Sequence, residues 1–520
     1  MVYGPWSMIH GQSHNPSAVG RQNTKNDNTF MHQRIKFLTI TAFTLTSLCA
    51  CDSLLDVKPQ SSITEAVYFQ NEGDFEPYLT GIYTYMRTFS NNVTYGTERS
   101  EELIAGSNSR FGVAWSQIIT PTSGAINYND WYKAIGHCNL LLAKIEAFPF
   151  NGNPDLRKRI LAETYSLRAY FYFHLTRIIG DAPLMLQAVT DENVPLLPRS
   201  PAIEVMKQVQ ADLDQAIGLY KSTGNFTAAS YPSKYRFAYG STQALKAEAS
   251  LWSAKVLGGG DADFNAAVAA ISEVEASGVS LNADFKNVTG PRAPNNPEVI
   301  LSAYFSRDET GGNYGVNALP FLTIVQGAVN LDSLPYTQTS TTGQGAYQIS
   351  QPSRALFSQK SADKRIPFTW ITERQTSGPK ISWITKYPGT RYSDDRISDN
   401  EIIIFRLADI YLMKAEAYAG LNKLEEAIPY LDKVRARAGT GAYTGAKTKA
   451  AVEREILDER GRELFFENKR WYDLVRFHKG GTIDVYQFVP NLIGKKTPLF
   501  WPLNTTVLAN NNQLVQTEGY

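Results

Sequence analysis

Apolar positions recur at helical spacing along much of this chain. Residues 203–219 (IEVMKQVQADLDQAIGL) set Val205, Val209, Leu213 and Ile217 four apart, on one face of a helix. Residues 162–175 (AETYSLRAYFYFHL) are denser in apolar and aromatic side chains and break at Gly180-Asp181-Ala182-Pro183, so Tyr170, Phe171 and Tyr172 read as core. Residues 244–256 end in Gly258-Gly259-Gly260, after which Asp261 is placed to cap a helix over 264–276. The clearest pair lies late. Residues 401–419 predict a strong helix ending at Gly420, and 423–438 follow at once and stop at Gly439. Ala408, Ala415, Ala417 and Ala427 leave room for close approach. Two antiparallel helices with a short glycine turn are the unit of tetratricopeptide-like repeats. A third helix, over 449–466, leads into 470–477.

The pattern lapses in two long stretches, 90–129 and 280–393, which are rich in Gly, Pro, Ser, Thr, Asn and aromatics. Strand-like pieces lie at 298–305, 368–371 and 380–386. Loops of this length in a folded protein are usually functional. The reading is a mostly α, tetratricopeptide-like scaffold carrying a loop-rich, partly β insert.

The N-terminus carries a different signal. Residues 37–48 (FLTITAFTLTSL) form an apolar run preceded by Arg34 and Lys36. It fits a secretory h-region and falls short of the roughly 18 residues that span a bilayer. Leu48-Cys49-Ala50-Cys51 follows, the Leu-small-small-Cys pattern of bacterial lipoproteins. Residues 31–50 therefore read as a signal peptide and Cys51 as the lipid-attachment residue. More than one acyl chain on Cys51 is enough for stable anchoring. Residues 1–30 are polar and aperiodic, and they precede what should be the start. Translation reads as beginning at Met31, with 1–30 a non-native or disordered extension. Residues 51–520 form the mature unit, and 54–60 read as an extended tether.

Charge narrows the partners. The net charge is +1, and residues 1–50 hold four basic groups and one acid, so the remainder carries −2. A near-neutral body lacks the basic stripe that nucleic acid requires. The cysteines Cys49, Cys51 and Cys138 show no CxxC spacing and support neither a disulfide framework nor a zinc site. His137, His174 and His478 are the histidines after Cys51, and none is paired at ligand spacing. His174, in an aromatic helix, reads as packed. No G-x-S-x-G, Walker loop or HExxH occurs, so no catalytic residue, metal or cofactor is predicted.

Several blocks resemble the SusD/RagB family of outer-membrane nutrient-binding lipoproteins. They are Trp131-Tyr132-Lys133-Ala134-Ile135 with Asn139, and Leu167-Arg168-Ala169-Tyr170-Phe171-Tyr172 before Gly180-Asp181-Ala182-Pro183-Leu184. Arg406-Leu407-Ala408-Asp409 through Glu416-Ala417, then Val434-Arg435, continue the series. Glu459-Arg460, Glu463-Leu464 and Arg470-Trp471-Tyr472-Asp473 follow, with Gly519-Tyr520 at the end. Thr517-Glu518 departs from the usual Asn-x, and Trp501-Pro502-Leu503 from the usual P-I-P. The resemblance implies about four helix pairs under a variable ligand face, on the cell surface. It implies a SusC-like TonB-dependent barrel transporter as partner.

Each motif has a plain structural reading. Arg168, Asp409, Glu416, Glu459 and Arg470 lie in apolar helices and read as buried charge pairs that set helix register. Glu459 and Glu463 are one turn apart, but a glycosidase pair must flank a sugar in a cleft. With Arg460 and Arg462 interleaved, they read as a salt-bridge network. Asp363-Lys364-Arg365 resembles a short structural element of the family. Sugars stack on exposed rings and bond planar polar groups, which makes loop aromatics the ligand candidates. These are Trp115, Tyr304, Tyr314 and Tyr336, with Arg99, Asn108 and Asn313 as polar partners. The expected function is non-catalytic capture of glycans for the barrel. Alternatives are oligopeptide binding, a surface hydrolase and a protein scaffold.

The lipid reading makes one prediction. Radiolabelled palmitate should mark the wild-type chain and leave Cys51→Ser unlabelled, with the variant released into the soluble fraction. Equal labelling of both would refute the assignment.

Overall fold

Four consecutive helix pairs carry the fold, and they appear in a computed structural model that describes residues 68–520 apart from 107–111, 190–193, 224–232, 291, 310, 340–344, 361 and 379. Cys51, the signal segment and Asn108 lie outside the described residues. Phe69–Tyr520 form one unit. The first pair is α1 (Phe75–Ser90) and α2 (Asn129–Ala147), and the second is α3 (Pro154–Ile179) and α4 (Ala202–Thr223). The third is α5 (Tyr239–Val256) and α6 (Gly260–Glu275). After the short α7 (Gln351–Ser358), α8 (Leu407–Gly420) and α9 (Leu424–Ala438) make the fourth. Helices α10 (Lys449–Glu463) and α11 (Arg470–Lys479) pack on this stack.

Local chemistry sets the helix limits. Asn153 accepts from the Leu156 N–H at 2.9 Å and Pro154 occupies the first turn, so α3 starts there. It ends at Gly180, whose φ of 76° an L side chain resists. Within it Tyr170, Phe171 and Tyr172 are buried, as their density predicted. Each such ring contributes about 1.5–3 kcal/mol over an exposed one. Helix α9 stops at Gly439 in the left-handed region, as expected from its sequence. Asp261 does not cap α6: the helix already begins at Gly260, and Asp261 sits in its first turn, where a carboxylate faces the positive helix end.

The predicted helix over 401–419 is in fact two elements. Ile402–Arg406 is a strand, here β8, and the helix begins at Leu407. The β-branched run Ile402-Ile403-Ile404 suits a strand buried on both faces, and a partner exists. That partner is β2 (Val299–Ala303), antiparallel to β8 with Val299 opposite Arg406 and Ala303 opposite Ile402. Among the described residues three more pairs build the insert. They are β1 (Leu103–Ala105) with β3 (Tyr347–Ile349), β4 (Trp370–Thr372) with β5 (Ser382–Ile384), and β6 (Thr390–Arg391) with β7 (Arg396–Ile397). All are antiparallel, and β3 lies beside β5.

Buried ion pairs lock insert to scaffold. Arg406, at the end of β8, donates to Glu298 at 2.8 Å, Glu463 at 2.5 Å and Glu467 at 2.7 and 2.9 Å. Arg365 binds Asp363 through two bonds and reaches Glu459 at 2.6 Å and Glu463 at 2.9 Å. All these side chains are closed to solvent. A second set joins Arg460 to Asp409 and Asp473, and Arg476 to Glu416. Arg168 grips Asp212 through two bonds, and Arg470 holds Glu101. The charges singled out in the sequence are therefore register-fixing pairs. Burial alone would raise the Glu463 carboxyl, but Arg437, Arg406 and Arg365 hold it well below the usual range. Glu416 is held at about 2 in the same way, burial being outweighed by Arg476 and Lys255.

Two predictions follow from this interior. Removing one partner of a buried pair strands the others, so Arg406→Met should cost about 3–5 kcal/mol, read from urea denaturation. Glu102 behaves oppositely. Burial, aided by the Glu101 charge, pushes its carboxyl up to about 8 against the pull of Arg470. The folded state then keeps a proton that the unfolded chain gives up near 4.5, so this group's contribution to stability falls as pH rises from about 4.5 to 8. Glu102→Gln should flatten that decline and raise the melting temperature at pH 9. An unchanged pH profile of melting would count against it.

Candidate functional site

The aromatic candidates separate into two groups. Trp115, Tyr304 and Tyr336 are half-buried. Trp115 stands on a turn whose indole N–H donates to the Leu103 carbonyl of β1 at 3.0 Å. The turn is further held by Asn491, which donates to the Trp115 carbonyl at 2.9 Å. Its polar handle is thus spent on backbone. Tyr304 follows β2 and meets Tyr235 edge-on at 5.1 Å, with the Arg292 guanidinium 5.8 Å from its ring. Tyr336 packs on a small cluster with Val325, Leu334 and Trp383, and Arg391 lies 5.5 Å from its ring.

Three of the predicted residues are structural. Arg99 is fully buried, donating to Gln117 at 3.0 Å and to the Leu499 and Pro498 carbonyls at 2.8 Å, with its guanidinium 4.2 Å above Trp471. Tyr314 is buried, donates to the Phe466 carbonyl at 2.8 Å and stacks edge-on with Tyr387 and Phe466. Asn313 is buried and forms a turn, accepting from the Gly315 N–H at 2.7 Å and Ser398 at 2.9 Å, and donating to the Asn400 carbonyl. Their polar groups are consumed inside the protein, so they cannot meet a ligand here. Asn108 lies outside the described residues.

The β6–β7 hairpin has neighbours of Tyr336 at one point and of Arg292, which flanks Tyr304, at another. Arg391 of β6 flanks Tyr336. Next to it, Tyr392 donates to Asp399 at 2.6 Å. Arg292, beside Tyr304, lies 3.2 Å from Glu401 and 3.9 Å from Asp399. Trp115 is tied by its indole N–H to β1 of the β1–β3 pair, whose β3 adjoins β5, the strand that carries Trp383. Sequence reasoning missed Tyr235, Arg292 and Tyr392. They sit in no motif, and only their loop setting and residue type hint at exposure. An apolar cleft of about 210 Å³ lies elsewhere, between Tyr128, Tyr132, Met185, Leu196 and Val507. Its walls are mainly apolar, with Asn129, Asn510 and Asn511 supplying amide groups.

The acids on α10 are not arranged for chemistry. Glu459 and Glu463 both accept from the same Arg365 nitrogen and are fully buried. His174 lies among Trp131, Tyr170 and Tyr472, and burial, with Arg177 and Lys469 nearby, holds its pKa well below the usual value. It is a neutral, packed imidazole, as expected from its helix.

The comparisons with known proteins agree with this architecture. Residues 368–520 match the model of the SusD family, and residues 53–240 match one described as starch-binding associating with outer membrane. The chain is 26% identical to SusD-like protein P38 of Formosa agariphila, over 94% of this chain and 100% of that one. Among solved structures it is similar to Bacteroides fragilis NanU, with a TM-score of 0.73, 28% identity and coverage of 89% and 100%. It is also similar in fold to a laminarin-binding SusD-like protein, with a TM-score of 0.68, 23% identity and coverage of 86% and 100%. Paired helices, a strand-bearing insert and matches at both ends of the chain lead to one assignment: this protein belongs to the SusD/RagB family.

Proposed function

We propose that this protein is a non-catalytic, lipid-anchored receptor that captures glycans at the cell surface and passes them to a SusC-like TonB-dependent barrel in the outer membrane. The observation that carries the reading is the set of half-buried aromatics, Trp115, Tyr304 and Tyr336, set in loops beside the insert's strands and fixed by their packing. Aromatic side chains fixed by packing and partly exposed offer stacking surface at little entropic cost. The starch-binding description of the matching family and the laminarin-binding fold neighbour favour sugar over other cargo. Acyl chains on Cys51 supply the anchor, and the barrel supplies the energy-coupled step that a binding protein lacks.

Affinity electrophoresis tests this directly. The purified chain should be retarded by at least one of laminarin, soluble starch, xylan and pectin, and release no reducing sugar. Trp115→Ala should weaken retention roughly tenfold, the effect of about 1.4 kcal/mol of lost stacking. Unretarded migration in every gel, or hydrolysis of the polysaccharide, would overturn the proposal.

A further inference from the structure

Beside Arg292, whose guanidinium lies 5.8 Å from the Tyr304 ring, is a notch that the aromatic face does not explain. It sits between β2, the turn carrying Thr289 and Arg292, and the segment Asp399-Asn400-Glu401, and has a volume of about 40 Å³. Ser302 of β2 lines it, fully buried, and its Oγ has no hydrogen-bond partner. A buried hydroxyl without a partner is costly and rare in folded proteins. A polar group entering the notch would satisfy it.

The other walls define what that group is. Asp399 accepts from Tyr392 at 2.6 Å and the Thr390 N–H at 3.2 Å. Glu401 accepts from Tyr235 at 2.5 Å, the Ala293 N–H at 2.7 Å and Arg292 at 3.2 Å. Carboxylate oxygens have about four acceptor positions between them, so both keep capacity to accept. Arg292 Nη2 stands 3.9 Å from Asp399, beyond hydrogen-bond length, and its side chain is 43% exposed. The notch therefore offers unused donors and unused acceptors side by side.

The notch carries charge of both signs, which disfavours a simple ion of either sign. A metal ion or ammonium group entering here meets the Arg292 cation, and an anion meets Asp399 and Glu401. A neutral group that donates and accepts at the same atom meets neither penalty, and a hydroxyl is such a group. The volume admits about two or three water-sized groups. That is enough for hydroxyls on adjacent carbons and too little for a sugar ring. An amide divides donor and acceptor between two atoms, which fits the alternating walls less well.

We propose that this notch receives the vicinal hydroxyls of one neutral sugar residue, whose ring rests outside against Tyr304. This rests on the glycan reading above and adds to it a polar subsite: Ser302 and Arg292 donate, and Asp399 and Glu401 accept. The subsite explains why Tyr304 is buttressed edge-on by Tyr235, which itself bonds Glu401: one unit fixes both the stacking ring and the acceptor wall.

The test uses the mature chain with Ser302→Ala, which removes the hydroxyl, and Ser302→Val, which also fills the space. Titration calorimetry is run with laminarin, soluble starch, xylan and pectin, and with tetra-alanine as the amide probe. For the polysaccharide that the wild type binds, Ser302→Val should weaken binding roughly tenfold or more and Ser302→Ala roughly threefold to tenfold. Both should melt at or above the wild-type temperature, because an unpaired buried hydroxyl is gone. Wild-type affinity in both variants would sink the notch and leave the glycan reading standing. A wild type that binds none of the polysaccharides sinks both. Tetra-alanine binding that Ser302→Val abolishes, with no effect on any glycan, assigns the notch to an amide and overturns the proposal.

Discussion

One carboxylate ties the molecule together. Glu463, the last residue of α10, accepts from Arg406 of β8, Arg437 of α9 and Arg365, and its carbonyl accepts from Lys386 and again from Arg406. Those four cations come from four separate segments. In a low-dielectric interior each charge needs all of its partners, since a half-satisfied network costs more than an apolar core. The arrangement is thereby over-determined. Small shifts of α9, α10 or β8 break several bonds at once, so the end of the helix stack and the strand that leads out of it hold a single relative position.

That rigidity is what a binding face requires. The short strand pairs of the insert have two or three residues in most strands, too few to be stable alone. They stand because they rest on the scaffold and on small cores of their own, such as Val325, Ala328, Leu334 and Trp383. Side chains on such supports lose little freedom when a ligand arrives. The half-buried aromatics and the polar notch lined by Ser302 are consequences of this support. The scaffold does the stabilising, and the insert is left to vary.

The scaffold was legible from sequence and the binding face was only partly so. Helices over 162–175, 203–219 and 423–438 announce themselves by period, caps and terminal glycines, all local features. The error at 401–419 is instructive. Its first residues carry a strand, because β2, about a hundred residues earlier in the chain, offers an edge that the run Ile402-Ile403-Ile404 can complete. Nothing within that segment encodes the partner. The same limit explains Arg99, Asn313 and Tyr314. They occupy loop-like sequence, which suggests exposure, yet these loops fold over cores of their own and draw them inside.

The sequence by itself determined most of the later helices, the pairing of the charges set in apolar helices and the family pattern, because each rests on spacing within one or two turns or on charges set among apolar residues. Tertiary structure alone decided which loop aromatics face solvent and which polar atoms remain unpaired. It also decided that Ser302, Arg292, Asp399 and Glu401 share one notch. Those outcomes depend on segments far apart in the chain meeting in space, and no local pattern records such meetings.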